Sequence, residues 1–299
     1  MDLTTPATPA TIDLAQSIGH ARGYWRTVFA RLSRDKTTIF FGIVLVSIVL
    51  MAIFAPFIAP ADPYKANIIR RLKEIGYPGH LLGTDQTGRD MLSRLIYGGR
   101  LSLFMGVTPV ATALVIGGFL GVLAGYVGGK LNMAIMRTMD VFYAFPSVLL
   151  AIAISGALGG GINNAILSLT VVFIPPIARV AETVTTQVRS LDYVEAARAS
   201  GASSLRIVRV HVLANVLGAI FVYATSLISV SIILSSGLSF LGLGTKPPEP
   251  EWGLMLNELR QAIYVNPYVA ALPGVMIFMT SLSFNLLSDG LRSAMDLKT

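Results

Sequence analysis

The chain has 299 residues, of which 54% are hydrophobic and only 13% are charged. A soluble domain carries about 25% charged residues, so lipid is the solvent for most of this chain. The absence of cysteine excludes disulfides, a thiolate metal site and a cysteine nucleophile, and the net charge of +7 is typical of basic cytoplasmic loops rather than of nucleic-acid binding.

Polar and apolar segments alternate along the chain. The predicted order is a tail at 1–36, a first span at 37–60, an extracytoplasmic segment at 61–100, a core at 101–292 that contains a polar loop at 182–211, and a tail at 293–299. The beginning of the first tail is rich in Thr, Pro and Ala, which is typical of disorder.

Six apolar runs are long enough to cross a bilayer, because a spanning helix needs about 20 apolar residues. The runs lie at about 37–60, 101–127, 139–159, 162–181, 212–236 and 268–288. Prolines in or beside the runs predict kinks rather than breaks, since neighbouring helices can satisfy the freed carbonyls; they are Pro109, Pro146, Pro175, Pro176 and Pro273. Small-residue spacing predicts a close helix–helix approach at Gly117, Gly118, Gly121 and Gly125.

Lys and Arg set the orientation of a membrane protein, since they concentrate on the cytoplasmic side. A basic cluster precedes the first run, but the segment at 61–100 is also rich in Arg, so the preference for a cytoplasmic N-terminus is slight. We adopt cytoplasmic N- and C-termini because this orientation places the polar loop at 182–211 in the cytoplasm.

The polar loop reads as two short helices around a corner. Asp192 can cap the first helix and Glu195 can reach back to complete a capping box. Gly201 supplies the left-handed residue that ends it, and Ser203 or Ser204 can cap a second short helix. An ordinary capped connection is the alternative, while the flanking spans exclude a DNA-reading helix-turn-helix.

The sequence shows no set of residues with the spacing of an ion-coupling, metal-binding, nucleotide-binding or catalytic site. The charged side chains Asp140, Glu182 and Asp289 sit at span ends, whereas ion-coupled carriers place such groups at mid-membrane. The three histidines lack metal-ligand spacing, 125–130 departs from a phosphate loop, and Ser239 lacks a nucleophile elbow. We therefore expect a non-catalytic chain with no cofactor or metal of its own.

Four blocks together resemble one family. They are 195–201 followed by 211–215, 80–90 with 93–98, 238–244 with 247–253, and 285–292. These blocks resemble the inner-membrane permeases of ABC importers of the dipeptide/oligopeptide/nickel class, and specifically the C-type subunit, over about residues 35–297. One departure is Ala214, where the family usually has proline; we expect the second short helix to enter the fifth span less sharply.

The resemblance implies an all-α, six-span type I permease fold in a bacterial inner membrane, with coupling helices between spans 4 and 5. It implies a heterodimer with a second permease subunit, two cytoplasmic ATPase subunits that hold ATP and Mg²⁺, and an extracytoplasmic solute-binding protein. The coupling residues expected to contact an ATPase are Asp192, Tyr193, Glu195, Ala196, Ala197, Ala199, Gly201, Ala202, Leu205 and Arg206.

The sequence does not identify the solute that is transported. Di- or oligopeptides are the first hypothesis, and a nickel chelate, glutathione or glycosides are alternatives on the same fold. A self-sufficient secondary carrier or channel is disfavoured by the missing mid-span charges.

On the outer side, Asp85, Arg89 and Asp90 are spaced for a capped turn around Gly88. This turn is either an ion-paired structure satisfied within the chain or a contact for the binding protein. The stretch at 246–251 predicts a polyproline-like strut, with Trp252 at the membrane interface as a further candidate contact.

Overall fold

The computed structural model describes residues 30–295. Within that range the backbone forms helices, two isolated β-bridges and connecting turns, and no β-strand. The all-α prediction is therefore confirmed for the described residues. The start of the tail at 1–36 and the end of the tail at 293–299 lie outside them.

Eleven α-helices lie wholly within the described residues. They are α1 Lys36–Ile53, α2 Ala55–Ile58, α3 Met91–Val127, α4 Gly129–Tyr143, α5 Ser147–Leu158, α6 Ile162–Arg189, α7 Asp192–Ala199, α8 Ser204–Ile207, α9 Leu213–Phe240, α10 Trp252–Leu259 and α11 Pro267–Met295. Short 3₁₀ turns lie at Ile68–Arg70 and Ala262–Tyr264, and a π-helical segment, Val208–Val212, joins α8 to α9.

Five of the described helices are long and apolar enough to cross a membrane, namely α1, α3, α6, the continuous rod Ser204–Phe240, and α11. Several helix boundaries differ from those of the predicted runs, and α3 and α6 are two examples. Asp90 caps α3 by accepting from the Ser93 amide at 2.8 Å, so α3 begins before residue 101. Helix α6 continues beyond residue 181 to Arg189.

The predicted span at 139–159 is a bent pair of helices rather than one rod. Helices α4 and α5 meet at an angle of 88°, with Ala144 and Pro146 at the junction. Counting this pair gives the predicted total of six spans. Helix α5 alone covers about 18 Å at 1.5 Å per residue, which is shorter than the ~30 Å hydrocarbon core. Pro146 thus separates two helices, whereas Pro109 and Pro273 lie inside continuous ones.

Glycines on α3 allow it to pack closely against α6. A Cβ added to Gly117 or Gly125 would lie 2.7 Å from a carbonyl oxygen of α6, and one added to Gly121 would overlap the carbonyl oxygen of Ala178. This confirms the predicted close approach at three of the four positions. Gly118 is the exception, since a Cβ there meets no atom within 4 Å.

The buried apolar residues form two clusters. The larger joins α3, α5, α6 and the rod Ser204–Phe240, and it includes Leu169, Ile177 and Val216. The smaller gathers around Trp252, which packs with Met91 and other residues near the start of α3. The first cluster extends to the polar loop, while the second anchors the segment between α2 and α3.

Candidate functional site

The polar loop between α6 and α9 is attached to the core by three side chains. Val194 on α7, Ile207 at the end of α8 and Val212 in the π segment are each at most 1% exposed and belong to the larger apolar cluster. Sequence reasoning missed these anchors. Only Val194 carries a local signal, since it is the one large aliphatic side chain in α7.

The start of α7 differs from the predicted capping box. Leu191 occupies the N-cap position with extended backbone and makes no side-chain capping bond. Asp192 is already the first helical residue, so its carboxylate no longer occupies the position from which it could cap. Asp192 and Glu195 instead lie in the first turn, where negative charge is favoured by the helix dipole. Glu195 is exposed and is therefore available to a partner.

The corner at Gly201 is confirmed. Its φ is +81°, and two backbone bonds close the end of α7, from Gly201 N to Arg198 O at 3.0 Å and from Ala202 N to Ala197 O at 3.1 Å. This pattern is a Schellman motif, which requires a left-handed residue at this place. A Cβ on Gly201 would meet no atom within 4 Å, so the backbone alone demands glycine.

The second predicted helix is the first part of the fifth span rather than a separate element. Ser203 Oγ accepts from the Arg206 amide at 3.4 Å, as predicted, and the chain then stays helical through Phe240. Because Ala214 is not proline, no break is imposed there. The chain enters the fifth span through the π segment, in which Leu213 N donates to Val208 O, and such segments are frequent at functional sites.

The solvent-exposed face of the polar loop combines apolar and basic side chains. Leu205 is 79% exposed and Tyr193 42%, and Tyr193 packs near His211 with ring centroids 6.0 Å apart. A shallow depression of about 390 Å³ is lined by Ser203, Leu205, Arg206, Arg209 and Val210. An exposed apolar and charged surface of this kind fits docking to another protein.

Most of the predicted coupling residues share this exposed face. Exposed members are Asp192, Tyr193, Glu195, Ala196, Ala199, Gly201, Leu205 and Arg206, whereas Ala197 and Ala202 are partly buried. Arg198, Arg209 and Val210 are also exposed and were not among the predicted coupling residues.

On the outer side, the predicted capped turn is present. Asp85 Oδ1 accepts from the amides of Thr87 and Arg89 at 2.9 Å, and Gly88 has φ +78°. The turn needs glycine because a Cβ on Gly88 would overlap the carbonyl of Asn67.

An ion-pair network ties this turn to α10. Arg89 pairs with Asp85 at 2.5 Å and with Glu258 at 2.9 Å, and Arg94 pairs with the same Glu258 oxygen at 2.8 Å. Asp90 accepts from Ser93 and lies 2.9 Å from His80 Nδ1. Glu258 was not predicted, because its partners lie more than 160 residues away in the sequence.

The predicted candidate contacts for a binding protein are Asp85, Arg89, Asp90 and Trp252. All four are at most 6% exposed, and the charged ones are satisfied within the chain. Their geometry fits the alternative of a self-satisfied turn.

The stretch at 246–251 is a turn and not a polyproline strut. Glu249 N donates to Lys246 O at 3.3 Å, and the peptide bond between Pro247 and Pro248 is cis. Glu251 is buried and caps α10 by accepting from Gly253 N at 2.9 Å and Leu254 N at 2.8 Å. Burial raises the pKa of Glu251, against the opposing effect of these amides.

Trp252 packs inside the protein. It is fully buried and donates from Nε1 to Leu95 O at 3.0 Å, with Gly98 and Gly99 leaving room for its ring. It therefore fixes α10 against α3. Within residues 30–295, no group of three or more His, Asp or Glu side chains could hold a metal ion.

Comparison with known protein families identifies the family of this chain. Residues 117–299 match the family described as "Binding-protein-dependent transport system inner membrane component", and residues 23–74 match "N-terminal TM domain of oligopeptide transport permease C". The chain belongs to this family of binding-protein-dependent permeases. It is a multi-span permease subunit of an ABC importer, and importers of this kind work with partner ATPases and a binding protein.

Relatives cover nearly the whole chain. The "Glutathione transport system permease protein GsiD" of Pectobacterium atrosepticum is 40% identical over 92% of this chain and 91% of its own. The "Dipeptide transport system permease protein DppC" of Alkalihalophilus pseudofirmus is 40% identical over 92% and 90%, and the "Di/tripeptide transport system permease protein DppC" of Pseudomonas aeruginosa is 42% identical over 84% of each chain.

A solved structure shares the fold. The inward-facing MetNI methionine ABC transporter superposes with a TM-score of 0.57 at 23% identity, over 68% of this chain and 97% of that one. The predicted ABC-permease fold is thereby confirmed.

Proposed function

We propose that this permease imports di- or oligopeptides, pairs with a second permease subunit as a heterodimer, and couples to two ATPases through the loop at 182–211. The named dipeptide and di/tripeptide relatives, at 40% and 42% identity, support the cargo. Both termini would lie in the cytoplasm of a bacterium and the spans in its inner membrane. ATP and Mg²⁺ would be held by the ATPases, and this chain would hold neither.

The observation that carries the coupling role is the exposed, rigidly anchored face of α7. Val194 is fully buried while Glu195 beside it is exposed, so one face of the short helix is locked to the core and the other is open. A partner that grips the open face can therefore move the core. Helix α6 on one side and the rod Ser204–Phe240 on the other would carry the motion to the spans.

The coupling itself is a free-energy difference. ATP binding closes the two ATPases, and each would draw its coupling helix with it, so that the attached spans rock between inward-facing and outward-facing states. The ATPases can bias the permease only as far as they bind one of these states more tightly. The left-handed corner at Gly201 keeps α7 at a fixed angle to the rod, which is what a lever requires.

Two variants test this proposal. Glu195→Lys reverses an exposed charge, and Gly201→Asp places a carboxylate where no atom of this chain lies within 4 Å of the first added carbon. Both are expected to insert normally, to lose ATP-driven uptake and to weaken co-purification of the ATPases. Gly201→Ala is the control, since it adds the backbone strain of a left-handed residue without the charge. Normal uptake by both charged variants would refute the coupling role.

Glutathione is a second candidate cargo, because the GsiD relative of Pectobacterium atrosepticum is 40% identical over a similar length. The relatives named above are permeases for dipeptides, di/tripeptides and glutathione, and they favour these cargoes over nickel chelates and glycosides. Purified binding protein from the same transporter, titrated with a dipeptide library and with glutathione, would separate the two candidates. Binding of glutathione with no binding of dipeptides would overturn the peptide assignment.

A further inference from the structure

An open groove runs along α1, which is the least buried of the long apolar helices. Only 22% of α1 is buried inside the described chain, against 33% to 56% of the apolar windows of the other four. The groove lies between α1 and α11 and has a volume of about 440 Å³. Its lining is mostly apolar and includes Ile39, Gly42, Ile43, Val46 and Leu287.

A glycine opens this groove. A Cβ added to Gly42 would meet only Leu287 Cδ1, at 3.9 Å, so the missing side chain leaves space above α11. The three hydroxyl groups of the lining, those of Ser33, Thr38 and Ser47, all donate within the chain. Their protons are therefore already used, and the groove presents an apolar surface.

The groove is about as long as one leaflet of a bilayer is thick. From Thr38 to Ser47 the lining extends over about 14 Å along the helix axis, at 1.5 Å per residue. Half of the ~30 Å hydrocarbon core is about 15 Å. Thr38 belongs to the first turn of α1, so the groove begins where the span begins and covers the depth of one leaflet.

The contacts between α1 and α11 show which residues share a level in the membrane. Gly42 faces Leu287, and a Cβ on Gly290 would overlap the side chain of Thr38. The two helices are therefore antiparallel, since the residue number rises along α11 as it falls along α1. Arg292, which follows Gly290, consequently lies level with the residues that precede Thr38.

Basic side chains predominate at this end of the groove. Arg34, Lys36 and Arg292 are exposed, and the carboxylates on the same described stretches of α1, the turn before it and α11 are those of Asp35 and Asp289. Asp35 is already engaged, because it caps the start of α1. The resulting net positive charge is complementary to the phosphate of a lipid head group.

We propose that the groove binds one acyl chain of an anionic phospholipid, and that Arg34, Lys36 and Arg292 hold its phosphate. The methylene groups of the chain stabilise the complex by leaving contact with mobile lipid for the groove, and the cations select the head group by its charge. Basic residues flank many spans. Here they stand at the end of an apolar groove of leaflet length, and a phospholipid matches both features together.

Photo-crosslinking tests this site. The transporter is purified in detergent with its partner subunits, stripped of lipid, and titrated with phosphatidylglycerol that carries a diazirine in its acyl chain. We expect labelling within 38–47 and at Leu287, with unlabelled phosphatidylglycerol competing more strongly than phosphatidylcholine. Equal competition by the two lipids would show lipid contact without selection by charge. Absence of label from the lining would show that a partner subunit or another part of this chain covers it. Either result overturns the proposal.

A variant that fills the groove tests its shape. Gly42→Leu is expected to fold, because leucine is favoured over glycine in a helix and the first added carbon meets no atom closer than 3.9 Å. The matched control is Gly156→Leu on α5, where glycine is also exposed and an added carbon meets no atom within 4 Å. Labelling of Leu287 should disappear in the first variant and persist in the control. Loss in both, or in neither, would contradict the groove as the binding site.

Charge variants test the head-group contact without altering the groove. Arg34→Gln combined with Lys36→Gln should raise the phosphatidylglycerol concentration for half-maximal labelling about 30-fold, at about fivefold for each basic side chain. Labelling by phosphatidylcholine with the same diazirine should not change. The control is Lys130→Gln combined with Arg137→Gln, which removes the same charge from exposed positions of α4. An equal shift in both double variants, or a shift in neither, would refute the assignment of the phosphate to this end of the groove.

Discussion

The buried side chain of Val194 allows a direct test of whether rigid attachment of α7 to the core is needed for coupling. Val194→Ala removes two carbons from a side chain that is fully buried in the larger apolar cluster. At about 0.8 kcal/mol for each buried carbon, and with a further cost for the cavity left behind, the loss is about 2 kcal/mol. Since 1.36 kcal/mol is a factor of ten, the undocked population of α7 should rise about 30-fold.

Loosening the anchor should separate binding from coupling. The exposed face of α7 is unchanged in Val194→Ala, so the ATPases should still co-purify with the permease. The number of cargo molecules imported per ATP hydrolysed should fall, because a loosened helix transmits less motion. The measurements are uptake and ATP hydrolysis in reconstituted vesicles, together with hydrogen exchange of the α7 amides.

The contrasting variant is Val210→Ala, which removes the same two carbons from a side chain of the polar loop that is 54% exposed to solvent. It should leave the exchange of the α7 amides unchanged. If Val194→Ala accelerates that exchange and yet imports as much cargo per ATP as the unsubstituted protein, the rigid attachment of α7 is not what carries the motion.

Two further predictions concern the scaffold. Gly121→Ala should force α3 away from α6, because the added carbon overlaps the Ala178 carbonyl, and the yield of folded protein in detergent should fall. Gly118→Ala is its control, with no atom within 4 Å, and an equal loss in both would contradict the close packing. Glu258→Gln removes the charge that Arg89 and Arg94 share and should lower the free energy of unfolding by about 3 kcal/mol. An unchanged melting temperature would show that this network does not stabilise the outer segment.

Local rules predicted much of this structure. The left-handed corner at Gly201, the cap from Ser203 and the turn at Asp85 depend on neighbours within a few residues, and all three are present. The spacing of small residues predicted that a neighbouring helix packs closely against α3, but it did not predict that this neighbour is α6. Such features need no knowledge of how distant segments meet.

Features that depend on distant contacts were not predictable in this way. Burial of Trp252 requires the segment between α9 and α10 to fold back over α3, and Glu258 pairs with Arg94, which lies 164 residues earlier in the sequence. The corner between α4 and α5 was missed because the length of an apolar run predicts how far a helix can extend but not where its axis bends. The cap of α7 was missed by one residue, since Leu191 takes the extended N-cap conformation before Asp192.

A single cross-linking measurement addresses the coupling loop most directly. Ala199 is exposed at the end of α7, and Ala199→Cys would introduce the single thiol of this chain. In the assembled transporter, a short bifunctional thiol–amine reagent attached to that thiol should give an adduct with an ATPase subunit, and its yield should change when ATP is added. An adduct with the binding protein, or none with an ATPase, would contradict the placement of this loop against the ATPases.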